Sequence, residues 1–339
     1  MDEAIAAVVE RGVAERVHSG AAWSVGDADG PITRGFTGST RWGGPPVGED
    51  SLWDLASVTK PIVGLAVMAL VERGALGLSD TLGALLPGYA ASADKAGLTV
   101  AQLLTHTSGL PGATPLWRTH RTRDDLLAAI RDTPLPAPPG TRVEYSSQGF
   151  ILLGLVAEAV TGTPLDALVR ELVTGPVGMR DTTFSPDTAR CVSTEECAWR
   201  GRLVTGQVHD ENAVVLGAPA GHAGLFAPLA DLERLARTLL TGGPLQPRTH
   251  ALMTAAHTDG LNLRRGLGWQ GHDGADSPVG TGPGPRSYGH TGFTGTSLWV
   301  DPDAGRTMVL LTNRVHPTRT RPGIERVRRE FHDLAVRPV

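Results

Sequence analysis

Between Pro61 and Leu70 the chain reads Pro-Ile-Val-Gly-Leu-Ala-Val-Met-Ala-Leu, ten residues without a charged or hydrogen-bonding side chain. A helix made from this run has almost no polar face, so it has to be enclosed by other elements. The run is too short to span a bilayer. Immediately before it lies Leu52-Trp-Asp-Leu-Ala-Ser-Val-Thr-Lys60, in which Ser57 and Lys60 are three residues apart. If Ser57 opens the helix, the two side chains share one face and reach each other. A serine hydroxyl is a weak nucleophile until a neighbour takes its proton, and a desolvated lysine amine can do so. The helix start also offers free backbone N–H groups to an oxyanion.

Ser and Lys at this spacing also occur at Ser92-Ala-Asp-Lys95, so spacing alone does not decide. Of 31 basic residues only Lys60 and Lys95 are lysine. Arginine is a poor proton acceptor in proteins, so a chain this rich in it keeps lysine where arginine fails. Lys95, among Ala, Ser, Asp and Gly, is expected in a solvated loop. The bland alternative for Ser57 and Lys60 is a helix cap and a side chain that snorkels.

At 339 residues with a formal net charge of −4, the chain is ample for a buried core and carries no charge excess suited to nucleic acid or an anionic membrane. The acidic N-terminus lacks the basic, then apolar, pattern of a secretory signal, which makes the cytoplasm the expected compartment. Cys191 and Cys197 have no zinc-type partners and are expected to be free thiols, with a local bridge between them as the alternative.

Periodicity predicts a first helix over Ala4–Val17 and strands over Ala22–Val25 and Ile32–Gly38. Thr99-Val-Ala-Gln102 is a capping box opening a short helix. Helices are expected at Arg123–Arg131, Gly149–Thr161, Pro164–Val173 and Leu229–Leu240, with a short extended piece at Val143–Tyr145. Ser185–Pro219 shows no clear period. Strands follow at Leu267–Gln270, Ser287–His290, Thr296–Val300 and Thr307–Thr312, then an arginine-rich helix, Ile324–Leu334. Strands at both ends with helices between imply an α+β fold, its sheet closed by the termini, with a helical region inserted.

Three clusters line up in order: Ser57-Val-Thr-Lys60, Tyr145-Ser146-Ser147 and His290-Thr291-Gly292. This series resembles the serine β-lactamase and penicillin-binding-protein superfamily, in the branch of class C β-lactamases, D-alanyl carboxypeptidases and serine esterases. Leu103-Leu-Thr-His-Thr-Ser-Gly-Leu110, Gly149-Phe-Ile-Leu-Leu-Gly154, Ala220-Gly-His-Ala-Gly-Leu-Phe226 and Gly289–Ser297 extend the likeness over nearly the whole chain. The resemblance implies one β-lactamase/transpeptidase-like catalytic domain over 1–339, with an antiparallel sheet flanked by terminal helices. Its α/β part would be about 1–60 and 260–339, its helical part about 61–259.

By that resemblance Ser57 is the acylated nucleophile, Lys60 takes its proton, and Tyr145 relays a proton to the leaving group. The backbone N–H groups of Ser57 and Phe293 form the oxyanion hole. Ser147, His290, Thr291, Gly292 and His222 contact substrate. Ser147 stands where Asn or Asp is usual, and His290 replaces a lysine. Histidine titrates near neutrality, so its hold on a carboxylate is weaker. The implied activity is that of an acyl-enzyme serine hydrolase on a small-molecule ester or amide, leaning toward esters over β-lactams, with no metal or cofactor. Acyl transfer, β-lactamase or carboxypeptidase action, and a degenerate ligand-binding module remain the alternatives, and the oligomeric state is open. His106 is expected to bond loop backbone, His209 and Asp210 to line a cleft rather than hold a metal, and Arg314–Arg329 to be a solvated face.

Overall fold

The computed structural model describes residues 2–217 and 219–337. The chain opens with α1 (Asp2–Ala14) and strands β1 (Gly20–Gly26) and β2 (Pro31–Gly38). The two-residue strand β3 (Trp53–Asp54) leads through a 3-10 turn, Ala56–Val58, into α2 (Thr59–Glu72). Next come α3 (Leu82–Leu85), α4 (Val100–Leu104), α5 (Arg123–Asp132), α6 (Ser147–Thr161), α7 (Leu165–Val169) and α8 (Gly175–Val177). A small hairpin, β4 (Glu196–Cys197) and β5 (Arg202–Leu203), precedes α9 (Glu211–Leu216), β6 (Phe226–Ala227), α10 (Leu229–Leu240) and α11 (Pro247–Thr254). The last elements are β7 (Gln270–Gly271), β8 (Tyr288–Thr291), β9 (Ser297–Asp301), β10 (Arg306–Thr312) and α12 (Ile324–Ala335).

Six strands form one antiparallel sheet in the order β2-β1-β10-β9-β8-β7, so the N-terminal hairpin pairs with the penultimate element of the chain. Both faces are covered. On β1, Ala21, Trp23 and Val25 point to one side and Ala22 to the other; Met308 and Leu310 alternate with Val309 and Leu311 on β10. This is the two-residue period of a strand. Ile5 and Val9 of α1 and Val327 and Phe331 of α12 cover the first face. The second carries α10 and the helical region. Helix α10 therefore belongs to the sheet layer, although its position lies inside the stretch assigned to the helical part.

Helix α2 is buried from Thr59 to Leu70, as a run without a polar face requires. Each of its large side chains withdraws apolar surface worth about 1.5–3 kcal/mol. Among the described residues no single helix is long and apolar enough to cross a membrane.

Several segments differ from expectation. Val143–Tyr145 joins no strand; Asn262 instead supplies a side-chain amide to both the N–H and C=O of Val143, at 2.8 and 3.1 Å. Of Leu267–Gln270 only Gln270 is in a strand, because Gly268 turns to φ +86° and the N–H groups of Leu267 and Gly268 bond Met253 and Leu104 carbonyls. Pro164–Val173 splits into α7 and a π-helical turn, Arg170–Thr174. Lys95 is not solvated: it is 1% exposed, with Nζ 3.2 Å from Asp94 and 2.5 Å from the Thr133 carbonyl. Asp94 in turn receives the Leu135 N–H, so this pair fixes the turn after α5. The predicted capping box at Thr99 and Gln102 forms with both bonds, and Cys191 and Cys197 are free and buried.

Candidate active site

Ser57 sits in the middle of the 3-10 turn at the foot of α2, on a backbone held from several directions. Ala56 has φ +46°, a left-handed conformation that costs an L-residue roughly 1–2 kcal/mol. The compensation is local. Asp54 Oδ1 accepts the Ala56 N–H at 2.8 Å and Oδ2 accepts the His209 N–H at 2.6 Å. The Thr294 and Thr296 hydroxyls donate to the Asp54 and Leu55 carbonyls at 2.7 and 2.9 Å. Gly292 must be glycine: a Cβ there would lie 2.0 Å from Thr296 Oγ1 and 2.5 Å from the Leu55 carbonyl. The third motif thus lies directly against the turn that carries Ser57.

Lys60, fully buried, places Nζ 3.2 Å from Ser57 Oγ and 3.0 Å from the His222 carbonyl. It also sits 4.9 Å from the centre of the Tyr145 ring. Tyr145 is wedged between His106 and His290, with ring centres 4.7 and 5.8 Å away. Its hydroxyl is buried and has no hydrogen-bond partner among the described residues; catalytic hydrogen bonds commonly tighten only once substrate is bound. His106 does bond loop backbone, accepting the Ser146 N–H at 3.1 Å, and so fixes the second motif. The backbone N–H groups of Ser57 and Phe293 donate to no protein acceptor among the described residues, which is the state an oxyanion hole needs.

Two cavities meet at Ser57 and Tyr145. One, of about 270 Å³, is lined by Ser147, Trp117, His209, Asp210 and Phe293. The other, of about 330 Å³, is lined by Arg265, His290, Thr291, Gly292 and Arg314. Phe293 stands between them, 47% exposed, its ring stacked on His209 and covered by Arg314.

The predicted His222 contact is not on either wall. Its imidazole is fully buried with Nε2 2.9 Å from Asp210 Oδ1, and what it gives the site is its backbone carbonyl. His290 lines its cavity, but burial, and next the charge of Lys60, push it down to about 3, so it is neutral at working pH. The basic C-terminal segment is not a solvated face either. Arg328 is buried and donates to the carbonyls of Gly292 and Thr296. Arg319 joins Glu195 and Glu211. Glu195, Cys197 and Glu211 lie within 4.8 Å of one another, as metal ligands would, but the Arg319 guanidinium already pairs with both carboxylates. Burial alone would raise Glu195; its bonds from His209 and Arg319 bring it down to about 2.

Sequence reasoning missed Arg265. It is 6% exposed, forms no ion pair among the described residues, and its Nε and Nη1 have no partner there. In a chain with 29 arginines nothing in the sequence singles it out.

Residues 5–333 match the β-lactamase family. The chain belongs to that family. It is a serine hydrolase with the β-lactamase/transpeptidase-like fold. A relative from Escherichia coli (strain K12), provisionally named a D-alanyl-D-alanine carboxypeptidase, is 32% identical over 305 residues, covering 78% of this chain and 70% of its own length. Among solved structures, SurE is 27% identical with a TM-score of 0.72, over 92% of this chain and 72% of its own. EstCE1, described as a hydrolase with promiscuous acyltransferase activity, superposes with a TM-score of 0.76 at 24% identity, over 96% of this chain and 98% of its own; it supports the fold alone.

Proposed function

We propose that this chain hydrolyses, through an acyl-enzyme on Ser57, a small-molecule ester or amide that carries a carboxylate beside the third motif. Ser57 Oγ attacks the carbonyl carbon as Lys60 accepts its proton. The oxyanion forms against the N–H groups of Ser57 and Phe293, and Tyr145 passes a proton to the leaving group. Water then releases the acid and regenerates the serine.

The observation that carries the substrate reading is Arg265. A buried cation without a counter-ion is unfavourable by several kcal/mol, and this one lines the cavity that holds Ser57, Tyr145 and Thr291. Neutral His290 cannot supply the fixed positive charge; Arg265 can, because arginine keeps its proton in proteins. The carboxypeptidase name of the E. coli relative agrees with a substrate bearing a carboxylate.

Two measurements test this. A fluorophosphonate or penicillin probe, mapped by mass, should label the Ser57 peptide; failure to label where a control enzyme is labelled would favour a degenerate binding module. Arg265→Gln should lower kcat/KM for a carboxylate-bearing ester by about 10- to 100-fold more than for the same ester with its carboxylate capped as an amide, the size of a charge-assisted contact. Equal losses on both would remove Arg265 as the anchor.

A further inference from the structure

The two cavities beside Ser57 have opposite electrical character. The Thr291 side is cationic, with Arg265 and Arg314 on its wall. The other side contains one carboxylate that the protein does not use up. Asp54 spends both oxygens on backbone N–H groups, and Glu195 and Glu211 hold Arg319. Asp210 differs. Its Oδ1 accepts from His222 Nε2 and from the Ala213 N–H, both at 2.9 Å, while Oδ2 has no partner among the described residues. The side chain is 35% exposed and lines the cavity. Burial opposes its charge, yet the His222 imidazole, the Ala213 N–H and Lys60 hold its carboxyl well below the usual range.

The same wall is aromatic. The loop carrying Trp117 is tied to α9 by Asn212, which accepts the Trp117 N–H and donates to the Thr114 carbonyl, both at 2.9 Å. Trp117, Tyr145 and Phe293 thus share one chamber with a fixed, half-open carboxylate. A carboxylate among aromatic faces is chemistry that recognises an organic ammonium. An acyl chain ending in a neutral group would leave Asp210 Oδ2 partly desolvated and without a partner.

We infer that the Asp210 side of the cleft is an ammonium subsite, binding a protonated amine on the acyl part of the substrate. This rests on the serine-hydrolase reading and narrows it to a substrate with a cation on one side of the scissile bond and an anion on the other.

The test compares nitrophenyl esters of glycine, β-alanine and 6-aminohexanoic acid with their methyl isosteres, the propanoate, butanoate and heptanoate. The readout is the ammonium-to-methyl ratio of kcat/KM in the wild-type enzyme, divided by that ratio in Asp210→Asn. This cancels the greater intrinsic reactivity of ammonium esters. Asparagine can still cap α9 and accept from His222. The quotient should reach about tenfold for at least one chain length, as for a partly desolvated ion pair. A quotient near one at every length would overturn the subsite while leaving the serine hydrolase standing. Absence of turnover on every ester together with no labelling of Ser57 would overturn both. Should Asp210→Asn not fold, the wild-type enzyme decides. Butylammonium should then inhibit heptanoate hydrolysis competitively at least about tenfold more strongly than 1-butanol does, and equal inhibition by the two would overturn the subsite.

Discussion

Replacing Lys60 with arginine keeps a positive charge and several N–H donors but removes the capacity to accept the Ser57 proton. Loss of a general base costs about 10²–10⁴ in rate, or roughly 2.7–5.5 kcal/mol of transition-state stabilisation. The fold should survive. Arginine adds two heavy atoms in a fully buried position, an overpacking of about 1–3 kcal/mol, and can still donate to the His222 carbonyl. That is less than the roughly 5–15 kcal/mol by which domains are stable. The assay is the second-order rate of fluorophosphonate labelling at Ser57, read by mass, beside a thermal unfolding curve. Labelling should fall at least about a hundredfold while unfolding stays cooperative. A Lys60→Ala variant separates chemistry from packing, because small alkylamines that enter the vacated space should restore part of the rate in proportion to their basicity. Labelling within tenfold of wild type in Lys60→Arg would refute the assignment of Lys60 as proton acceptor.

The second lysine should behave in the opposite way. Lys95→Arg disturbs a buried contact with Asp94 and the Thr133 carbonyl, so it should cost about 1–3 kcal/mol of stability with labelling at Ser57 unchanged; a neutral effect on the urea midpoint would contradict its burial. Stability should also fall in mild acid. Burial holds His18 at about 4 and, as the leading cause, His290 and His332 at about 3, whereas the unfolded chain protonates them near 6.5. The stabilisation is complete above pH 6.5 and is lost as pH drops from 6.5 toward 4 for His18 and toward 3 for His290 and His332, by up to about 1.4 kcal/mol per pH unit for each histidine. Urea unfolding at pH 7.5, 6.5 and 5.5 measures this, and a flat profile would show that these imidazoles gain protons without cost.

Much of the architecture is legible in the sequence because it rests on long periodic segments. β1, β9 and β10 alternate across a sheet, and α2 has no polar face, so each announces its own surroundings. What was not legible is held by contacts distant in sequence. β3 and β6 are two residues each and exist because Trp53 pairs with Ala227. The Ser185–Pro219 segment shows no period because its order comes from contacts with Asp54, Arg319 and Trp117, outside it, rather than from a face of its own. The site divides in the same way. Ser57, Lys60 and Tyr145 stand out because lysine and tyrosine are scarce and spaced as the chemistry needs. Arg265 and Arg328 carry a letter that usually marks solvated surface, and only burial and unspent hydrogen-bonding capacity distinguish them.

The pairing of β1 with β10 has a consequence for how the protein comes into being. Ala21 and Thr312 face each other across the middle of the sheet although about 290 residues separate them. At typical synthesis rates roughly 15–60 s pass on the ribosome before β1 meets its partner. Through that interval the N-terminal hairpin presents an open edge with apolar side chains on both faces, the kind of edge that invites intermolecular pairing. The clamp of Arg328 on the third motif arrives later still, with α12. Folding of this enzyme is therefore governed by contacts of very high sequence separation, and such topologies are slow to form. A nascent chain stopped before α12 has its serine, lysine and tyrosine already made but lacks the strap that seats the third motif against them.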